Sequence, residues 1–545
     1  MIFVDPSGDD SGPGTIERPF ATLERARAAG GVITLRAGVH RLTETLRLTE
    51  ADSGIVLQAH GYGTAVPEKV VVSGGTPITG WQEGDGGVWT AAAPATPVRQ
   101  LYVGGRRAER ASLSLGETAI TATETGYVLE EAVDWPGAVE FVYRGAYPWS
   151  EARIPVASIS GTSVTMVQPA FGWARELYHS IITWEGGGEH YAVDAPTSAE
   201  NSPAFLTPGT FAVSEGVIHY LPLPGESPDD VVAPVLETLV HADGVRGAAF
   251  RGITFAEAAW TRPSGREGFL HYHGNGFYAG GDLQVVTFDG GQVTVPGDPA
   301  DIPGNVVVDG ASDVRVEGCR FTRLGGVALE FRGAGARNAL LDSEIDEVAG
   351  GGVVIRDGAR EHRIERTRLR RVGLDYHGSP AILIAGTEST VVARNDVGEV
   401  PHNGVVVNAG RGTQVLGNLI HDTMQVLADG GGLYVSGPQG SSYASGALIR
   451  GNVIKDTVTP YNYGLYTDYG AAWVTVQGNV VHRADNPVVL EVSPPLEHVA
   501  FIGNFWDADP GEAPKGVTLS DNTVLGEGAL ESDPAVADIV AGAGI

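Results

Sequence analysis

The chain has 545 residues and a formal charge of −30, from 66 acidic against 36 basic side chains. That balance excludes nucleic acid as a partner, because a phosphate backbone demands a basic face, and it disfavours a long polyanionic substrate. Cys319 is the single cysteine, so no disulfide forms within the chain. Ile2-Phe3-Val4 leads directly into Asp5-Pro6-Ser7-Gly8 with no basic or apolar leader and no membrane span, so the expected compartment is the cytoplasm as written, or the exterior if a leader has been trimmed.

In chain order, Pro19 to Ala29 is predicted as a short helix with Phe20, Leu23 and Ala26 on one face, ended by Gly30-Gly31, and strands follow at 32–35, 46–48, 55–57 and 70–72. Between about Pro97 and Val240 the segment becomes rich in aromatics, among them Tyr102, Tyr127, Trp135, Tyr143, Tyr147, Trp149, Trp173 and Trp184. Its strands, such as 139–143 and 217–221, alternate as antiparallel β structure does. A Gly-rich hairpin is expected from about Phe269 to Gly304.

The C-terminal half carries the strongest pattern. A column of small polar residues, Cys319, Ser343, Thr367, Asn395, Asn418, Asn452, Asn479 and Asn504, recurs at steps of 24, 24, 28, 23, 34, 27 and 25 residues. Two residues after each stands Phe321, Ile345, Leu369, Val397, Ile420, Ile454, Val481 or Trp506. Short Val/Ile/Leu strands at this period, separated by Gly, Asn and Asp, predict a right-handed parallel β-helix, a pectate-lyase-like solenoid whose Asn side chains bond from coil to coil. The fold class is therefore all-β, with an inserted antiparallel β domain. The expected division is 1–97 for the cap helix and first coils, 98–240 for the insertion, and 241–545 for the main β-helix with its catalytic coils. Cys319, standing in the buried column, is a core filler.

A polar solenoid of this kind invites a search for paired carboxyls. Aligning coils on the glycine that opens one strand (Gly326, Gly352, Gly404, Gly432, Gly464, with Pro487 in that place) gives a column four residues on: Glu330, Arg356, Asn408, Ser436, Asp468, Glu491. Neighbours in such a column lie about 5 Å apart, so Asp468 and Glu491 are expected side by side. Asp429 is a further candidate, because Gly430-Gly431-Gly432 after it allows a sharp bend and close approach of a ligand. His402, Asn403, Asn408, His421, Tyr434, Tyr466 and His377 are expected to meet sugar hydroxyls, and Trp473 to supply an aromatic platform, with Trp260, Trp173 or Trp184 in similar roles. No metal-ligand spacing or phosphate loop is present and no cofactor is expected; acid-rich turns suit Ca²⁺ without any pattern demanding it.

Val4-Asp5-Pro6, Pro19-Phe20-Ala21-Thr22-Leu23, Leu101-Tyr102-Val103 with Arg106-Arg107-Ala108, and Asp429-Gly430-Gly431-Gly432-Leu433-Tyr434 together resemble β-helix glycosidases of the glycoside hydrolase family 141 type, insertion domain included. The resemblance implies a glycosidase. By motif it implies Asp429 and Asp468 as the catalytic acids, whereas Glu491 departs from the family pattern. The expected function is hydrolysis of an oligosaccharide, exo-acting and xylosidase- or fucosidase-like, with an oligosaccharide as partner and neither nucleic acid nor membrane. A polysaccharide lyase on the same scaffold and a non-catalytic carbohydrate-binding solenoid remain as alternatives.

Overall fold

The structure, a computed structural model, describes residues 1–116, 119–178, 196–288, 291–526, 528 and 532–545. The chain divides into two compact units: one of residues 1–73, 238–256 and 304–545, the other of residues 74–237 and 257–303. The second unit thus begins earlier than the aromatic shift at Pro97, and it takes in the segment expected as a separate hairpin. Strand Phe269–His273 pairs antiparallel with Glu151–Ser160, which ties that segment to the inserted sheet. Leu283–Phe288 and Gly291–Pro296 do form a hairpin.

In the first unit every coil contributes strands to parallel sheets. One series runs Val240–Asp243, Gly304–Asp309, Val327–Arg332, Val353–Ile355, Ile382–Glu388, Val405–Arg411, Gly431–Pro438 and Tyr463–Gln477. Along such strands alternate side chains point in and out. Val353, Ile382, Val405, Leu433 and Leu465 share one inward column and are fully buried. In a twelve-stranded sheet on another wall, Phe321, Ile345, Leu369, Val397, Ile420, Ile454, Val481 and Trp506 stand in continuous register, each at most 1% exposed. Each aliphatic chain so buried contributes roughly 1.5–3 kcal/mol.

The corner before that wall holds the polar column. Asn395 Nδ2 donates to Asn418 Oδ1 at 2.9 Å, and the same link repeats from Asn418 to Asn452, Asn452 to Asn479 and Asn479 to Asn504. It continues to Asn522, one rung beyond the last one legible by spacing. Each oxygen also accepts the backbone N–H of the preceding rung, and each Nδ2 returns to a carbonyl such as Val415 O at 2.9 Å. Upstream, Ser343 and Cys319 occupy the same corner with the Cys319 amide on Ser343 Oγ at 3.1 Å; burial pushes the Cys319 thiol up to about 12, so it is an inert packing group.

At the N-terminus the helix is Leu23–Ala29, shorter than predicted because Thr22 caps it, its side chain accepting the Arg25 N–H at 3.2 Å. Phe20 instead pairs with Phe3 through its amide at 2.9 Å. A helix absent from the sequence reading, Pro534–Gly542, seats Val536 against Val453 and Val480. Among the described residues no helix is long and apolar enough to cross a membrane.

The second unit is built on antiparallel strands, including Glu140–Arg144 with Glu151–Ser160, around buried Tyr127, Phe141, Tyr143, Tyr147, Phe171 and Tyr178. Its proposed platforms have packing roles: Trp260 is 3% exposed against Phe269 and Phe277, and Trp173 sits edge-on to Tyr278. Trp184 lies outside the described residues.

Replacing Asn452 by Ala strands the Val415 carbonyl and the backbone and side-chain amides of Asn418. At about 1–3 kcal/mol for each buried unsatisfied group, a loss of roughly 3 kcal/mol or more is expected, read as a lowered urea midpoint.

Candidate active site

The two strands Gly431–Pro438 and Tyr463–Gln477 lie in register, with Tyr434 opposite Tyr466 and Ser436 opposite Asp468. The inward positions of this pair are Leu433, Val435, Leu465 and Thr467, which turns both tyrosines and Asp468 outward. One coil earlier Asn408 is opposite Ser436, and Ser436 Oγ donates to Asn408 Oδ1 at 2.8 Å. Asn408, Ser436 and Asp468 therefore form a polar row climbing about 4.8 Å per coil.

Asp429 joins them from the turn that feeds the first strand. The expectation was that the glycine run makes this bend; instead Asp429 itself takes the left-handed conformation, φ 54°, which Asp tolerates better than most residues. The glycines answer to crowding. A Cβ on Gly430 would stand 2.7 Å from both Asn403 Oδ1 and His402 Nε2, one on Gly431 2.7 Å from the Tyr463 carbonyl, and one on Gly432 2.6 Å from Ile454 Cγ2. His402 and Asn403 hold the turn from the coil below: His402 Nε2 meets the Ala428 carbonyl at 3.1 Å, and the Gly431 N–H donates to Asn403 Oδ1 at 2.8 Å. Asn403 Nδ2 faces His402 Nδ1 at 3.0 Å, a pattern satisfied by the neutral Nε2–H tautomer. These two residues thus position Asp429 from behind.

Each carboxyl has its own tyrosine. Tyr466 donates its hydroxyl to Asp429 Oδ1 at 3.0 Å and Tyr434 donates to Asp468 Oδ2 at 2.8 Å, with the two rings edge to face at 5.2 Å between centroids. The environments differ. Burial first, and then the charge of Asp468, pushes Asp429 up to about 7, only partly offset by the Tyr466 hydrogen bond. Burial also raises Asp468, opposed by Tyr434 and by the Tyr469 backbone amide. Both tyrosine hydroxyls are driven well above their ordinary range by burial and the nearby carboxylates, so they remain donors. The sequence reading missed Tyr461 and Tyr463. Tyr463 packs on Tyr466 at 4.5 Å and is pushed up to about 12 by burial and Asp429, while the Tyr461 carbonyl accepts the Asp429 N–H at 2.9 Å. The aromatic density of Tyr461-Asn462-Tyr463-Gly464-Leu465-Tyr466 was the available signal.

Other expected members stand apart. Glu491 is exposed and belongs to no strand: pairing of the next strand, Asn486–Val488, ends at Val488, and beyond it Thr467 reaches Val489 O through its hydroxyl, at 3.1 Å. The coil count carries to Glu491, but the ladder that makes columns into neighbours does not. At the other end of the column Glu330 is opposite Val354, not Arg356. It lies buried, accepting from Arg356 Nε at 3.0 Å and from the Gly304 amide at 3.0 Å. His421 is on the twelve-stranded sheet, where Nε2 meets Asp396 at 3.0 Å and Nδ1 meets Asp422 at 2.6 Å. His377 lies in the turn before Ile382–Glu388, two coils below the turn of Asp429. Trp473 stacks on His498 at 3.8 Å with Tyr443 edge-on. Among the described residues no group of three or more His, Cys, Asp or Glu is arranged to hold a metal ion.

A family profile described as "right handed beta helix region" matches residues 304–504. The first unit is a right-handed parallel β-helix. A solved structure named "glycoside hydrolase" superposes with a TM-score of 0.76 over 100% of this chain and 98% of its own, at 20% identity. XylC, solved in complex with xylose, superposes with a TM-score of 0.52 over 95% of this chain and 86% of its own, at 12% identity. At such identities the likeness is one of fold. No curated protein sequence matches the chain.

Two pH effects follow. The Asp429 carboxyl, raised above its ordinary 3.8, stabilises the fold fully below that value and loses its contribution as pH rises through about 7. Asp429→Asn is accordingly expected to gain roughly 2–4 kcal/mol at about pH 8 and little at about pH 4, measured by denaturation at the two values. His421 is raised above its ordinary 6.5, first by its bond to Asp396, so its contribution is complete below 6.5 and is lost as pH rises through the higher folded value. His421→Gln should flatten that alkaline decline in Tm.

Proposed function

We propose that the protein is a glycoside hydrolase releasing a terminal sugar from a short oligosaccharide, of xyloside or fucoside type. The observation that carries this reading is the pair of unlike carboxyls. Asp429, pushed up to about 7, holds a proton at neutrality, as a general acid must, and Asp468 has the Tyr434 hydroxyl and the Tyr469 backbone amide to hold its charge against burial. In the proposed reaction Asp429 protonates the departing glycosidic oxygen while the Asp468 carboxylate acts at the anomeric centre, either attacking it or taking a proton from the attacking water. Tyr434 steadies Asp468 without neutralising it. Tyr466 keeps Asp429 oriented and, as a donor, limits how far its acidity falls.

The xylose bound in the solved XylC structure and the name of the other β-helix neighbour support a sugar substrate. A non-catalytic binding solenoid has no use for a desolvated acid of this kind, whose ionisation costs stability. A lyase would produce an unsaturated product absorbing in the ultraviolet, which hydrolysis does not.

Turnover is expected on a panel of nitrophenyl glycosides and plant-derived oligosaccharides, with kcat/KM falling above about pH 7 as Asp429 ionises. Asp429→Asn and Asp468→Asn should each lower kcat by about 10²–10⁴-fold. An ultraviolet-absorbing product, or unchanged rates in both variants, would overturn the assignment. NMR of the product anomer assigns Asp468 as nucleophile on retention and as base on inversion.

A further inference from the structure

The strand that bears Asp468 departs from its neighbour immediately after that residue. Ser436 is opposite Asp468, but Pro438 is opposite Ala472, so two residues on one strand face four on the other. The extra length is Tyr469-Gly470. Both take positive φ, 39° and 66°, and the bulge is pinned to the next coil by the Gly470 N–H on the Pro494 carbonyl at 3.0 Å. Bulges of this kind re-aim side chains and concentrate beside active sites. Here the result is twofold. The Tyr469 amide is directed back to the Asp468 carboxylate, lowering its pKa against the effect of burial. The Tyr469 ring is left 51% exposed and, among the described residues, takes part in no ring contact and no side-chain hydrogen bond.

The contrast with its surroundings is informative. Tyr434, Tyr461, Tyr463 and Tyr466 are each engaged by a ring partner or a carboxylate. Trp473, four residues after Tyr469, is stacked on His498. Tyr469 alone among these aromatics presents a free ring, on the residue that follows a carboxyl of the pair and in a bulge held to the next coil through Gly470. A rigid ring held out of packing, at a cost in backbone strain of order 1 kcal/mol or more, has an open face for the apolar side of a pyranose.

We infer that Tyr469 is a specificity-determining contact for the glycone, the sugar whose anomeric carbon faces Asp468, and that the two-residue bulge exists to present it. This inference rests on the proposed glycosidase activity. On this inference Asp429, as the acid, faces the leaving oxygen, and the ring carried by the residue after Asp468 is assigned to the side of the sugar that is released. The prediction is a ring-face interaction: the phenol oxygen is dispensable and the aromatic plane is not.

The test compares Tyr469→Ala and Tyr469→Phe on the full chain with the nitrophenyl glycoside the wild-type protein turns over, xyloside and fucoside first, and with the corresponding free sugar, xylose or fucose, as product inhibitor. Tyr469→Ala is expected to raise KM and weaken the inhibition constant of the free sugar together, each by about 10-fold, while kcat and the alkaline limb of the pH profile stay in place. Tyr469→Phe should match the wild type in all four. Unchanged KM and inhibition constant in Tyr469→Ala would overturn the inference, as would a fall in kcat with KM intact or a shifted pH limb, either of which marks support of Asp468 through the backbone. Equal impairment of both variants would overturn the ring-face assignment. If the wild-type protein turns over nothing in the panel, the glycosidase assignment itself falls and this inference with it, an outcome distinct from an active enzyme indifferent to Tyr469.

Discussion

Coil-to-coil hydrogen bonding at about 4.8 Å is the constraint from which the rest of the first unit descends. A parallel strand has no neighbour in its own coil, so every backbone group on a wall is satisfied only by the coil above or below. At the corners, where the chain turns and ladder bonding lapses, the same requirement falls on side chains. The asparagine column meets it by bonding each corner amide and carbonyl from Asn395 through Asn522. Once that spacing is imposed, side chains far apart in sequence are brought to fixed intervals, and Tyr434 can reach Asp468 across 34 residues of chain.

The same stacking sets the electrostatics. Two carboxyls on adjacent coils cannot both be desolvated and ionised cheaply, so one of them retains its proton near neutrality. Their unequal surroundings decide which. Asp468 has a tyrosine hydroxyl and a backbone amide to hold its charge, whereas Asp429 has one hydroxyl. The asymmetry that suits acid and base roles is thus a by-product of where each residue sits: one at a bulge within a strand, the other in the turn before a strand. It is maintained against stability, as is common where function needs a strained or desolvated group.

Much of the scaffold was legible in sequence because its period is enforced by packing. The column two residues after each corner, from Phe321 to Trp506, is one unbroken register in the structure. Asp429 and Asp468, singled out by motif, are linked through the edge-to-face tyrosines Tyr466 and Tyr434, and Asn408 and Ser436 fall in the row that coil counting assigns them. The failures have physical causes. Counting residues from an opening glycine assumes that pairing persists, and at Val488 it stops, which leaves Glu491 in solvent. Counting also assumes one register per wall, and a two-residue slip puts Val354 opposite Glu330. His421 is adjacent to the acids in coil number but belongs to another wall, a distinction that linear spacing does not carry. The Tyr469 bulge is equally invisible, since an extra pair of residues after Asp468 reads as ordinary variation in coil length.

That variation in coil length throws the glycine run into relief. The coils absorb insertions freely, as steps from 23 to 34 residues attest, the longest of them containing Asp429. What the turn of Asp429 does not absorb is a side chain at its glycines, because Gly430, Gly431 and Gly432 each abut a different partner: His402 and Asn403 below, Tyr463 above, and Ile454 from another wall. The loop is therefore a keystone in the architectural sense, wedged by neighbours on three sides. A side chain at any of the three positions would have to displace a residue of a neighbouring coil, so the placement of Asp429 is tied to coils on both sides of its own.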